Sequence, residues 1–313
     1  MKKNMEENFK MLFDRAYGTC LTSDLKKISE ELKKIKGPTI CVGSGGSRVV
    51  ADFVSKVLAE KNNILTTTMD PRDLLYNKSV KHYDNIFVCS YSGKNHGVGT
   101  ALSLNKNKYL LTNSTEEKEG VKLLTYTSKE PKEKSFISLG ATLMPIAIMY
   151  EYYYSDSFPF GRIMEYLLDQ HYEYEVGENK NFEIMSGFDT SVASNYLEST
   201  IVEAGLGMCT LHNKYDYCHG RTTLGFHHDN TLIYLKAGET ELDNLLIDEV
   251  KKLYDEIIIL EGRRASDNIT NNFDLLVKAM WLTRSIALKQ RKDLSGVDYS
   301  PLCRKLYPFK GKM

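Results

Sequence analysis

Residues 38–48 read PTICVGSGGSR, a short β-branched apolar run that passes straight into Gly43-Ser44-Gly45-Gly46-Ser47 and then into residues at helical spacing. A strand that turns on glycines into a helix leaves free backbone amides at the helix N-terminus, where an anion can approach the chain closely. The same plan returns at residues 85–95, NIFVCSYSGKN, where a second apolar run ends in Ser90-Tyr91-Ser92-Gly93-Lys94-Asn95 ahead of another helical stretch. Around them NILTTTM (63–69), KYLLT (108–112) and KLLTY (122–126) alternate with helical stretches, closed by a helix expected from about Ser135 to Tyr153. Strands alternating with helices imply a parallel, doubly wound sheet. Two hydroxyl-rich turns at neighbouring strand ends of such a sheet suit a phosphate monoester, whose three oxygens need several donors.

Two other readings of these turns stand beside that one. Gly43 and Gly45 satisfy the first part of a dinucleotide fingerprint and Asp70 follows the second strand as a ribose-binding acid would, but Arg48 occupies the place of the third glycine. The serines could also do no more than cap helices.

At 313 residues the chain is long enough for about two domains of roughly 150 residues each. Residues 1–36 read as a helical segment stopped at Lys36-Gly37-Pro38, 37–165 as a first domain and 180–313 as a second, with a linker and crossing helix between them. In the second domain FEIMSG (182–187), TLIYLK (231–236) and EIIIL (256–260) read as strands, Ser191–Thr210 and Asn272–Lys289 as helices. The expected fold class is α/β twice over.

Lys+Arg and Asp+Glu are both 41, so no net field draws the chain to nucleic acid or to an anionic membrane, and an anion must be caught by a local site. The six cysteines form no CxxC pair, the N-terminus lacks the apolar core of a signal peptide, and no stretch reaches the about 18 apolar residues of a membrane span. A cytoplasmic protein with a small-molecule partner is expected, without nucleic acid, membrane or metal. Cys209, Cys218, His219, His227, His228 and Asp229 match no zinc spacing. The run Tyr150-Glu151-Tyr152-Tyr153-Tyr154 has no basic patch beside it and suits a domain interface better than a base-stacking platform.

Gly45-Gly46-Ser47 followed by Ser90-Tyr91-Ser92-Gly93 resembles the sugar isomerase (SIS) domain, whose second turn commonly reads S-x-S-G. LLTNS at 110–114 resembles the end of that family's fourth strand, and Glu133-Lys134-Ser135-Phe136 its T-K-[AS]-F before a long helix. Ser186-Gly187-Phe188-Asp189 and the helix after it resemble a second SIS domain, as in glucosamine-6-phosphate synthase and fructosamine-6-phosphate deglycases. The resemblance implies two flavodoxin-like three-layer α/β/α domains with parallel sheets, no cofactor, and a sugar phosphate held by Gly45, Gly46, Ser47, Ser90, Tyr91, Ser92 and Asn95. Asn95 stands where a threonine is usual.

The family also carries a glutamate sixteen residues ahead of a His-Gly pair, a spacing met here by Glu203 and His219-Gly220. Moving a sugar carbonyl between adjacent carbons, or removing an amine beside it, passes through an enediol or enolamine and needs a base that carries one proton. Glu203 lies within Ile201-Val202-Glu203-Ala204-Gly205-Leu206, and apolar surroundings would raise its proton affinity toward working pH. His219 could exchange a proton with the ring oxygen and so open the ring. A solvated glutamate and a turn-capping histidine are the plainer alternatives.

In the synthase that histidine comes from the neighbouring subunit, so the resemblance implies a homodimer. The tail GVDYSPLCRK (296–305) resembles the synthase tail, which makes Lys305 the candidate for steadying an oxyanion, with Lys310, Arg304 and a merely solvated basic tail as rivals. Thr200 stands where the synthase has a lysine and no glutaminase domain is expected with these residues, so isomerisation, deamination or deglycation of a hexose 6-phosphate is expected rather than amination, with deglycation slightly ahead. A sugar-phosphate sensor without turnover is the alternative outside enzymes.

Overall fold

A computed structural model describes residues 2–128, 135–137, 140–156, 171–227, 229–263, 267–296 and 301–302. These divide into two compact units, one of the described residues within 6–169 and beyond 295, the other of those within 170–295 together with residues 2–5. Two helices, α1 (Lys2–Thr22) and α2 (Leu25–Lys33), precede the first strand. The break between them falls at Asp24, whose carboxylate accepts from the Lys27 N–H at 3.0 Å and caps α2.

The first sheet holds β1 (Thr39–Val42), β2 (Thr66–Met69), β3 (Asn85–Cys89), β4 (Asn107–Thr112) and β5 (Val121–Thr125), all parallel, in the order β2-β1-β3-β4-β5. β1 and β3 are buried along their whole length, as central strands covered on both faces must be. On one face Ile40, Val42, Ile86, Val88 and Leu110 pack with Val98 and Ala101 of α4 (His96–Ser103). The other face carries α3 (Gly46–Asn62), which packs on β1 and β2 and against α5 (Leu143–Tyr154). In this strand order the chain leaves β1 toward one side and β3 toward the other, so the switch point lies between them.

The second unit repeats the plan with one strand fewer. β6 (Asn181–Ser186), β7 (Met208–Asn213), β8 (Thr231–Lys236) and β9 (Glu256–Glu261) are parallel in the order β7-β6-β8-β9. Helices α6 (Ser191–Glu203) and α8 (Asn268–Lys289) pack together on one face. On the other, Leu246, Ile247 and Val250 of α7 (Glu241–Val250) meet Met185, Leu232 and Tyr234. Both units are thus three-layer α/β/α sandwiches with parallel sheets. Among the described residues no helix is long and apolar enough to cross a membrane.

Three sequence expectations need correction. The helix expected over Ser191–Thr210 stops at Glu203: Gly205 takes φ +60°, and the Leu206 N–H bonds the Ile201 carbonyl at 2.8 Å, a reversal that closes the helix and releases β7. The helix expected from about Ser135 begins at Leu143, and the described residues between are turn or irregular. Pro145 sits in its first turn, where a missing N–H costs nothing. Helix α8 starts at Asn268, earlier than expected, because Asp267 caps it through the Thr270 N–H at 2.7 Å. Helix α7 had no sequence expectation at all.

Candidate functional site

The first turn is shaped by glycine. Gly45 caps α3 at φ 54°, ψ −134°, a conformation closed to residues with a side chain, and a Cβ on Gly43 would collide with the carbonyl of Ser47. Ser47 and Gly46 are half-buried at the first turn of α3, while Ser44 and Gly45 are exposed. Asp70, at the end of β2, accepts from the Ser44 hydroxyl at 3.1 Å and from the Arg72 N–H at 2.9 Å. Those bonds give it a part in supporting the turn.

The second turn leaves β3 beside the first. Ser90 is buried and its Oγ accepts from the Gly93 N–H at 3.2 Å, while Ser92 is exposed and accepts from the Lys94 N–H at 3.4 Å. Asn95 caps α4 by accepting from the Val98 N–H at 2.8 Å, and its amide nitrogen keeps its capacity to donate. The end of β4 braces this turn: the Thr112 hydroxyl and the Asn113 N–H both donate to the Tyr91 carbonyl at 3.0 Å. Tyr91 in turn places its hydroxyl 3.0 Å from that of Ser128. An open cleft of about 330 Å³ runs along α4 beside the turn, with Lys94, Asn95 and Ser103 on one wall and Lys118 and Glu119 on the other.

Ser47 at the start of α3 and Ser90, Ser92 and Asn95 ahead of α4 thus all follow the carboxyl ends of the adjacent strands β1 and β3. The equivalent place in the second unit carries different groups. There the Gly187 N–H donates to Thr190 Oγ1 at 2.8 Å, and Lys236, at the end of β8, lies 3.9 Å from Glu239 and 3.7 Å from Glu261. Among the described residues, this second turn thus differs from the first in carrying an ion-paired lysine and carboxylates in place of paired serines.

Glu203 and His219 both belong to the second unit, and the structure does not bring them together within one chain. Glu203 closes α6 and stands just ahead of β7, whereas His219 follows the far end of that strand. Six residues of parallel strand separate the two edges by about 17 Å. Glu203 is exposed, with the Ser199 hydroxyl donating to its Oε1 at 3.0 Å. The apolar setting expected from its neighbours is not found, because Ile201 and Ala204 face the core while Val202 and Glu203 share the opposite side of the helix. His219 is exposed in a π-helical turn, Tyr217–Arg221, in which Gly220 takes φ 105°. Lys305, Lys310, Arg304 and His228 lie outside the described residues. Among the described residues no three His, Cys, Asp or Glu side chains gather as a metal would require.

No protein-family model and no curated protein matches the chain. Solved structures match along nearly all of it. The tagatose-6-phosphate ketose/aldose isomerase of Escherichia coli is 15% identical over 95% of this chain and 96% of its own, with a TM-score of 0.71. The C-terminal domain of glucosamine-fructose-6-phosphate aminotransferase from Francisella tularensis is 12% identical over 95% and 97%, with a TM-score of 0.68. Glucosamine-6-phosphate deaminase from Thermotoga maritima is 17% identical over 91% and 96%, at 0.65. At these identities the likeness is one of fold, and the chain has the paired SIS-type α/β architecture that these proteins share.

Proposed function

We propose that this protein processes a phosphorylated hexose or its amino derivative by proton transfer through an enediol or enolamine, as an isomerase, deaminase or deglycase. The supporting observation is the pair of glycine- and serine-built turns at the carboxyl ends of the adjacent strands β1 and β3, at the switch point of the first sheet. Ser47, Ser90, Ser92 and Asn95, with the backbone amides of Gly45, Gly46 and Tyr91, hold the phosphate. Glu203 carries the proton between C1 and C2, His219 opens the ring, and Lys305 steadies the oxyanion. Fold neighbours that act on sugar 6-phosphates agree with this chemistry.

Because Glu203 and His219 lie at opposite edges of their sheet, a complete site draws them from two chains of a homodimer. That same separation supports a second reading, a sugar-phosphate sensor whose single chain binds without turnover. Thermal shift against a panel of hexose, hexosamine and fructosamine phosphates, followed by NMR for solvent exchange at C1 and C2, separates the two. Exchange or product that vanishes in Glu203→Gln, with binding kept, is the expected result. Stabilisation without exchange selects the sensor, and a response only to dinucleotides overturns both.

A further inference from the structure

The turn that carries His219 has no regular ladder of its own, with His219 at φ −90°, ψ 28° beside a left-handed Gly220. Short π-helical segments of this kind need outside support to keep one geometry. That support comes from residues on either side of His219. Tyr217 is wholly buried, and its hydroxyl lies 2.8 Å from that of Tyr254. Tyr254 donates onward to Glu183 Oε2 at 2.7 Å. Arg221 places Nη1 3.5 Å from Nδ1 of His212, whose ring meets the edge of Tyr217 at 5.4 Å between centroids. His212 Nε2 is 3.0 Å from Glu183 Oε2, close in distance though not aligned for a straight hydrogen bond. Asn230 donates to the other carboxylate oxygen at 2.6 Å.

Glu183 sits in β6 and His212 in β7, and both side chains are sealed from solvent, so neither can touch a substrate. A buried carboxylate of this sort is poor evidence for stability, since an apolar pair of equal volume often does as well. Fully partnered, it specifies one arrangement of the groups around it. Burial alone would raise the Glu183 carboxyl, but the close His212 ring and donation from Tyr254 and Asn230 outweigh it and leave the group below its ordinary value, an ionised acceptor on which its neighbours converge.

We infer that Glu183, with His212, Tyr217 and Tyr254, forms a positioning network that fixes the turn bearing His219 in the geometry for ring opening. The role in chemistry rests on His219 being the ring-opening group, whereas the hold on the turn does not. Glu183→Gln keeps the volume and removes the charge. In that variant the amides of residues 217–221 should lose hydrogen-exchange protection by about tenfold or more while α6 and α8 keep theirs. Turnover of a cyclic substrate should fall by about 10–100-fold in kcat with KM little changed. An acyclic analogue lacking the ring-closing hydroxyl should be processed at the wild-type rate.

Should Glu183→Gln not fold, Tyr254→Phe removes the one hydroxyl that bridges Glu183 and Tyr217 and reads out the same way, with smaller effects. Unchanged protection at 217–221, or loss spread evenly over the second unit, overturns the inference. So does equal slowing on cyclic and acyclic substrates. If the wild type turns over nothing yet the turn loosens in both variants, the proposed enzyme fails and the network stands, because the exchange measurement needs no substrate.

Discussion

Gly45 holds a backbone conformation that only glycine takes without strain, so a methyl group there tests the first turn directly. Gly45→Ala should lower stability by about 1–3 kcal/mol, read as a fall in the denaturant midpoint, and abolish sugar-phosphate stabilisation. Asn95 separates two tasks. Asn95→Ala removes the cap of α4 and should cost about 1 kcal/mol together with ligand binding, whereas Asn95→Thr keeps an oxygen for the cap and a hydroxyl for the ligand and should retain both. Equal losses in the two variants would show that only the shape of asparagine matters.

A third residue of this kind is Asp243, buried and accepting from Lys214 at 2.6 Å, Tyr234 at 2.6 Å and Thr240 at 2.7 Å. Asp243→Asn leaves a buried ammonium without its counter-charge and should destabilise by about 3–5 kcal/mol in chemical denaturation.

At the scale of elements, the strands of the first sheet were legible because β1 and β3 are short buried runs and β2, β4 and β5 keep compact β-branched or apolar runs between turn residues, and the two turns were legible because glycine and serine act locally. Strand β7 escaped notice because its residues, MCTLHN, form no continuous apolar or β-branched run and follow directly on a helical pattern. The start of α5 was misplaced because nothing in the sequence at Ser135 opposes a helix, while the residues there fold as a turn. The network behind His219 could not be read at all. Tyr254 and Glu183 are 71 positions apart, and such pairings belong to tertiary structure.

Two of the buried carboxyls give the second unit a pH signature. Burial would raise Asp243, and bonds from Lys214, Tyr234 and Thr240 bring it below the ordinary 3.8, just as Glu183 falls below 4.5. Lowered folded values mean that both contribute fully above those ordinary values and lose their contribution as pH falls through the folded ones. Melting temperature should therefore be flat at neutral pH and drop below about pH 4. The acid drop should be shallower in Asp243→Asn.

For the whole molecule, the placement of Glu203 and His219 at opposite edges of one sheet makes complementation the decisive test. Glu203→Gln and His219→Asn chains are each expected to be inactive alone. Unfolded together and refolded as a mixture, they should regain activity in about a quarter of sites, because only mixed pairs form one intact site. Recovery of nothing would mean that a single chain supplies both groups or that neither acts.

One feature of the first turn bears on how salt affects this protein. The donors proposed for the phosphate are hydroxyls, backbone amides and the Asn95 side-chain amide, all uncharged, and the chain has no net charge to steer an anion toward them. Short-range dipoles are screened far less than exposed charges. A phosphate seated there should keep its affinity as ionic strength rises, while an anion drawn to the exposed Lys94, or to Lys118 across the cleft, should be released.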